Sequence, residues 1–184
     1  MDDNYRAAVD AAAIFSETDL RGCITYVNQQ FCSISGYSRD ELLGANHRIL
    51  NSGLHEPEFF EGMWRALAAG KVWKGEICNR AKDGSLYWVD SVIAPFMDAE
   101  GRVEKFIAIR HDVTWRKLTE QQLRETSTLL TNVLNAASGT AVIATDADLV
   151  IRVFNTGAER LLGYRASEIV GHATPLRFHE PARI

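Results

Sequence analysis

Residues 44–53, GANHRILNSG, gather Asn46, His47, Arg48 and Asn51 between Gly44 and Gly53. An amide both donates and accepts hydrogen bonds, an imidazole does either, and a guanidinium only donates. Such a stretch either folds over a polar ligand or forms a solvated polar loop, and the elements around it must decide. Chemistry of turnover is not visible elsewhere: the sequence shows no paired acids, no nucleophile–base set and no metal-ligand cluster. Cys23, Cys32 and Cys78 are scattered and odd in number, without a CxxC. They read as inert reduced thiols, which fits a cytoplasmic compartment.

The 184 residues are 46% hydrophobic and 24% charged, with a net charge of −4. That is apolar enough for a real core and rules out general disorder. The mild acidity gives no electrostatic drive toward nucleic acid or anionic lipid. No apolar run approaches the roughly 20 residues of a membrane span. A basic N-terminal region followed by a long apolar one is also missing, so no signal peptide is expected.

The polar stretch belongs to a repeated unit. TDLRGCITYVNQQFCSISGYSRDELLG and TDADLVIRVFNTGAERLLGYRASEIVG align without a gap at an offset of 127. Asp19 falls on Asp146, Asn28 on Asn155, Gly36-Tyr37 on Gly163-Tyr164, Glu41 on Glu168 and Gly44 on Gly171. Two copies of one module follow, at 10–114 and 138–184, the second ending before it reaches the later part of the first. Missing three strands, that second copy should leave one face of its core uncovered and should not fold stably alone.

In the first copy, AAIFSETD and CITYVN form a hairpin. A short helix follows, stopped by Gly36. Ser38 then opens another as N-cap, with Glu41 completing a capping box. EPEFFEGMWRALAAG sets Phe59, Phe60, Met63, Trp64 and Leu67 on one helical face. Three strands come next, joined by KDG and DAEG turns. The expected architecture is α+β, a five-stranded antiparallel sheet with short helices on one face. Residues 115–137, without Gly or Pro, should be one long helix joining the modules. Its apolar seam is partial, with Thr119 and Thr126 where a coiled coil prefers Ile or Val; it reads as a signalling or dimer helix, or as a spacer.

YVNQQFCSISGYSRDELLG, NRAKDGSLYWV and APFMDAEGRVEKFIAIRHDVT, with the helix behind them, resemble a PAS sensor domain and its signalling helix. The resemblance covers about residues 10–135 and resumes over 138–184. It implies the PAS fold, with one ligand cleft between sheet and helices. It also implies a homodimer through the N-terminal segment and linker helix, and a downstream signalling domain that this sequence does not contain. In light-sensing flavin members, Asn-Cys-Arg-Phe-Leu follows the second helix. Here Asn46-His47-Arg48-Ile49-Leu50 puts His47 in place of the reactive cysteine, which argues against covalent photochemistry. Haem-binding members use a histidine of the long helix, and 56–69 contains none; His55 only precedes it and His111 is on the last strand.

The chain resembles most the FAD-binding redox and aerotaxis subgroup. The matching points are Trp64 with Leu67, Trp73 with Gly75, Asn79 to Asp83, Ser16 and His47. What the resemblance implies is a non-covalent FAD held by Asn79, His47, Trp64, Ser16, Trp73, Asn46 and Arg48, with Arg48 and Arg80 near a pyrophosphate or merely solvated. The residue types suit a flat apolar ring with a polar edge. Function by this reading is redox or oxygen sensing without catalysis. The alternatives are a cofactor-free dimerisation module and a haem gas sensor.

Overall fold

The structure is a computed structural model and describes residues 12–178. The N-terminal segment invoked above for dimerisation lies outside the described residues. The chain divides into two units at Leu118 and Thr119, and each is described by itself.

In the first unit, β1 (Ile14–Thr18) and β2 (Ile24–Val27) form the expected hairpin. Helix α1 (Gln29–Ser35) starts at Asn28, whose side chain caps Phe31 N–H, and stops at Gly36 with φ 71°, a left-handed conformation that glycine adopts without strain. Helix α2 (Arg39–Leu42) carries the Ser38–Glu41 capping box. A 3₁₀ turn spans His47–Leu50 and α3 spans Pro57–Ala68. Strands β3 (Trp73–Arg80), β4 (Leu86–Met97) and β5 (Val103–Asp112) follow.

The antiparallel sheet has the order β2-β1-β5-β4-β3, so the hairpin joins the last strand and the two edges are β2 and β3. Alternation along the strands sends Ser16, Phe106, Ala108, Arg110, Tyr87, Val89, Ser91, Ile77 and Asn79 into the interior, where all are buried. Of the adjacent aromatics on β4, Tyr87 is the one that faces inward. Trp88 is half-buried on the other face beneath Lys117. Val27, Phe31, Leu42, Leu50, Met63 and Leu67 complete the core from the hairpin and helices. Asn28 ties the hairpin to α1: its Oδ1 accepts from Phe15 N–H (3.1 Å) and Phe31 N–H (3.0 Å), and its Nδ2 donates to Ala13 C=O (2.7 Å).

Helix α4 (Thr114–Ala136) begins directly after β5 and buries none of its residues. Among the described residues no helix is long and apolar enough to cross a membrane.

In the second unit, β6 (Ile143–Thr145), β7 (Ile151–Phe154), α5 (Thr156–Leu162), α6 (Ala166–Ile169) and a 3₁₀ turn at Pro175–Phe178 repeat the first. The offset of 127 holds in detail. The register shift at Glu17/Thr18 recurs at Ala144/Thr145. Asn155 caps Ala158 N–H as Asn28 caps Phe31, and Gly163 takes φ 78°. Residues 143–178 thus take up the repeat's hairpin and helices around a small core of Ile151, Phe154, Ala158, Ile169 and Ala173. Their sheet has two strands only.

Candidate functional site

The stretch 44–53 runs from the β2 side of the sheet to the β3 side. At the β2 side, Ile24 N–H donates to Ala45 C=O (2.9 Å), Gly44 N–H to Ile24 C=O (2.8 Å) and His47 N–H to Gly22 C=O (2.8 Å). At the β3 side, Asn51 bridges to Asn79, and Ser52 Oγ donates to Cys78 C=O (2.7 Å). Both ends are therefore pinned, the β2 end by backbone groups and the β3 end by a backbone bridge and the Ser52 hydroxyl, and α3 closes the third side. The space enclosed is a cavity of about 510 Å³, within the size range of small-molecule and cofactor sites.

Its walls divide by chemistry. Phe60, Met63, Trp64 and Leu67 of α3 face Ile77, Ile93, Phe106 and Ala108 of the sheet, making an apolar slot. Ser16, His47, Asn79 and Arg110 supply polar groups, while Leu20, Arg21, Asn46, Arg48 and Asn51 line it as well. Trp64 is 37% exposed, stands edge-on to Phe106 at 5.6 Å, and reaches across to the β1–β2 turn. Gly22 there has φ 78°, and a Cβ on it would stand 3.2 Å from the indole, so glycine serves both the turn and the indole's seat.

Three of the polar groups, Ser16, His47 and Arg110, form one network. Arg110 Nη1 donates to Ser16 Oγ (2.8 Å), and Nη2 lies 3.0 Å from His47 Nε2. Since a guanidinium cannot accept, His47 must accept at Nε2 and carry its proton on Nδ1. Burial, and then the Arg110 charge, push the imidazole down to about 3, so it is neutral at physiological pH. His47 is half-buried, lines the cavity, and stands edge-on to Phe31. Arg110 is 3% exposed. Burial lowers its pKa from the ordinary guanidinium value to about 10, which leaves it charged. Asn79 is buried and stands in register with Tyr87 of β4; burial raises the Tyr87 phenol above its ordinary range.

Of the residues expected from sequence, Ser16, Asn46, His47, Arg48, Trp64 and Asn79 come together on the cavity. Asn46 is largely committed to the loop: its Oδ1 accepts from Arg48 N–H and Nε–H (both 3.1 Å), and its Nδ2 donates to Arg21 C=O (2.9 Å). Trp73 does not reach the cavity. It folds back over Gly75, where a Cβ would meet its ring at 2.6 Å, and stands edge-on to Phe59. Arg80 likewise serves the fold, donating to Ser52 C=O at 2.6 Å. His55 accepts from Cys78 N–H (2.8 Å) and stacks on Phe59, and His111 is exposed.

Arg110 was absent from the sequence expectation. A usable signal existed: Phe106, Ala108 and Arg110 share a strand face at period two, so an inward Phe106 carries Arg110 inward.

The cavity also has a mechanical connection to α4. Ile77 and Asn79 of β3 point inward, while Glu76 of the same strand pairs with Arg116 and Lys117 of α4. Trp88 N–H donates to Thr114 Oγ1 (2.9 Å), and Asp112 Oδ1 caps Thr114 N–H (2.8 Å).

Comparison with known proteins agrees with this architecture. The family described as "PAS domain" matches residues 11–114, and that described as "PAS fold" matches 128–184. The chain is 37% identical over 141 residues to a nitrogen fixation regulatory protein of Klebsiella pneumoniae, covering 77% of this chain and 28% of that protein. It is 35% identical over 105 residues to the aerotaxis receptor of Escherichia coli, covering 57% and 21%. The chain thus spans under a third of the length of these relatives. Among solved structures, an RNA-binding light-oxygen-voltage receptor matches with TM-score 0.60 and 30% identity over 68% of this chain and 36% of that one. A light-oxygen-voltage domain from a flavin-analogue study matches with TM-score 0.57 and 26% identity over 68% and 96%.

Proposed function

The chain belongs to the PAS family, and from that premise we propose that its first unit is a redox or oxygen sensor that holds FAD non-covalently in the cavity. The observation that carries this reading is the cavity's division into an apolar slot and a polar network. The slot between Phe60, Met63 and Leu67 on one side and Ile77, Ile93 and Phe106 on the other suits a flat aromatic ring. Asn79 supplies a donor and an acceptor for a polar ring edge. Arg110, Ser16 and His47 supply further donors and an acceptor. The similarity to a light-oxygen-voltage domain studied with a flavin analogue supports a flavin in particular, and that to an aerotaxis receptor supports a response to oxygen.

A bound flavin supplies reversible uptake of electrons together with a change in the hydrogen-bonding character of its ring. The protein's part is to feel that change. A buried partner whose hydrogen bond is lost must reorient or stay unsatisfied, at a cost of about 1–3 kcal/mol. A coupling of that size shifts a two-state equilibrium five- to a hundredfold or so. Strand β3 carries the effect outward, with Asn79 on its inner face and Glu76 holding α4 from its outer face. The sensor is cytoplasmic and non-catalytic in this reading, and α4 leads the signal to an effector in a longer protein. Exposed Leu118, Leu123, Leu130 and Val133 on α4 support pairing with a second copy. They equally favour the second reading, a dimerisation module without cofactor.

The test is the absorption spectrum of the chain purified from flavin-replete cells, with mass analysis of the chromophore released by denaturation. A flavin spectrum that bleaches with dithionite and returns in air, with FAD released, is the expected result. A colourless protein that takes up no added FAD favours the dimerisation module, and a Soret band favours haem.

A further inference from the structure

Arg110 is the only charged side chain among the described residues that is buried. Burying a charge is costly unless it is paired and hydrogen-bonded, yet among the described residues no carboxylate pairs with it. Its neighbours are a hydroxyl, a neutral imidazole and the Phe31 ring, 5.8 Å away. A guanidinium has five N–H groups; Ser16 and His47 take two, and Nε is buried with no partner. The guanidinium is one wall of the cavity. An unbalanced positive charge facing an internal cavity is a site prepared for a negative charge that arrives with the ligand.

We infer that Arg110 sets the redox potential of the site: it stabilises the reduced, negatively charged flavin over the neutral oxidised form. This inference rests on the flavin reading above. Two electrons and one proton turn the neutral ring into a monoanion, with the electrons coming from a reduced electron carrier in the cell and from dithionite in the assay. In low-dielectric surroundings the attraction to a fixed guanidinium is strong, and only the reduced state gains it in full. The other ionisable groups facing Arg110 do not compete. His47 stays neutral and Tyr87 stays protonated through the neutral range, while Arg21 and Arg48 stand elsewhere on the cavity lining.

The experiment measures the midpoint potential of the FAD-loaded full chain against pH, for the wild type and for Arg110→Gln and Arg110→Lys. Arg110→Gln should lower the potential by about 30 mV or more, a tenfold or greater loss of preference for the reduced form; Arg110→Lys should lower it less. The wild-type potential should fall by about 30 mV per pH unit at and just below neutrality, the slope for one proton per two electrons. A neutral reduced ring would give about 59 mV. An unchanged potential in Arg110→Gln with flavin bound, or the steeper wild-type slope, overturns this inference alone. A wild-type chain that takes up no flavin overturns it together with the flavin reading. Should Arg110→Gln fail to fold, the wild-type slope decides.

Discussion

Replacing Arg110 by methionine should make the ligand-free protein more stable while weakening its hold on ligand. Burial takes the guanidinium pKa down from its ordinary value to about 10. At 1.36 kcal/mol per pKa unit, the folded state bears a cost of about 3 kcal/mol for keeping that charge inside. Methionine removes the charge and fills a similar apolar volume. Against the gain, Ser16 Oγ, itself 1% exposed, loses its donor, which costs about 1 kcal/mol. His47 Nε2 borders the cavity, where water can replace Arg110. The net stabilisation is about 2 kcal/mol, inside the range seen when buried charges give way to apolar residues. For a domain of this size that raises Tm by roughly 10 °C. The assay is urea and thermal unfolding of the flavin-stripped chain by tryptophan fluorescence. Trp64, Trp73, Trp88 and Trp115 all lie in the first unit, so the signal reports that unit alone. Added FAD should stabilise the wild type more than Arg110→Met. A ligand-free Arg110→Met clearly less stable than the wild type would refute the reasoning, because Arg110 would then be a satisfied structural cross-link.

Further outcomes follow from particular contacts. Asn28→Ala removes an N-cap and strands Phe15 N–H and Ala13 C=O, so chemical denaturation should show a loss of about 3 kcal/mol. Gly75→Ala must displace the Trp73 ring and should cost about 1–3 kcal/mol with little change in FAD affinity. Trp64→Ala, by contrast, should weaken FAD binding, as read by flavin fluorescence titration. Glu41 is held down to about 2, first by its hydrogen bond to Lys82 and then by Ser38. With a folded pKa below the ordinary 4.5, its contribution is whole above pH 4.5 and is lost as pH falls toward about 2. Glu41→Gln should therefore flatten the acid limb of a circular-dichroism titration in that window.

Local signals in the sequence were faithful where a single residue's backbone chemistry decides the outcome. Gly36 stops α1 and Ser38 with Glu41 opens α2 because cap geometry depends on a few adjacent atoms. The repeat was legible because Asp19, Asn28 and Gly36 and their counterparts do the same hydrogen-bonding work 127 residues apart. The site was legible in part. Ser16, His47, Trp64 and Asn79 all line the cavity; strand parity fixes which way Ser16 and Asn79 face, and helix periodicity does so for Trp64. Trp73 has the inward parity too, but its rotamer folds onto the bare backbone of Gly75, and no spacing rule encodes a rotamer. Arg110 stands beside His111 and Asp112 in a polar stretch, and only the alternation with Phe106 and Ala108 sends it inside. The seam of α4 stays exposed along its length in the single chain, which is why periodicity alone left signalling helix and spacer side by side.

The central claim is that the cavity between the sheet, α3 and residues 44–53 is a flavin site. A crystal structure of the chain purified with FAD tests it most directly. The account predicts ring density between Phe60, Met63 and Leu67 and the sheet, within hydrogen-bonding distance of Asn79 and Arg110. A cavity filled by the protein's own side chains, with FAD absent or bound elsewhere, would contradict it.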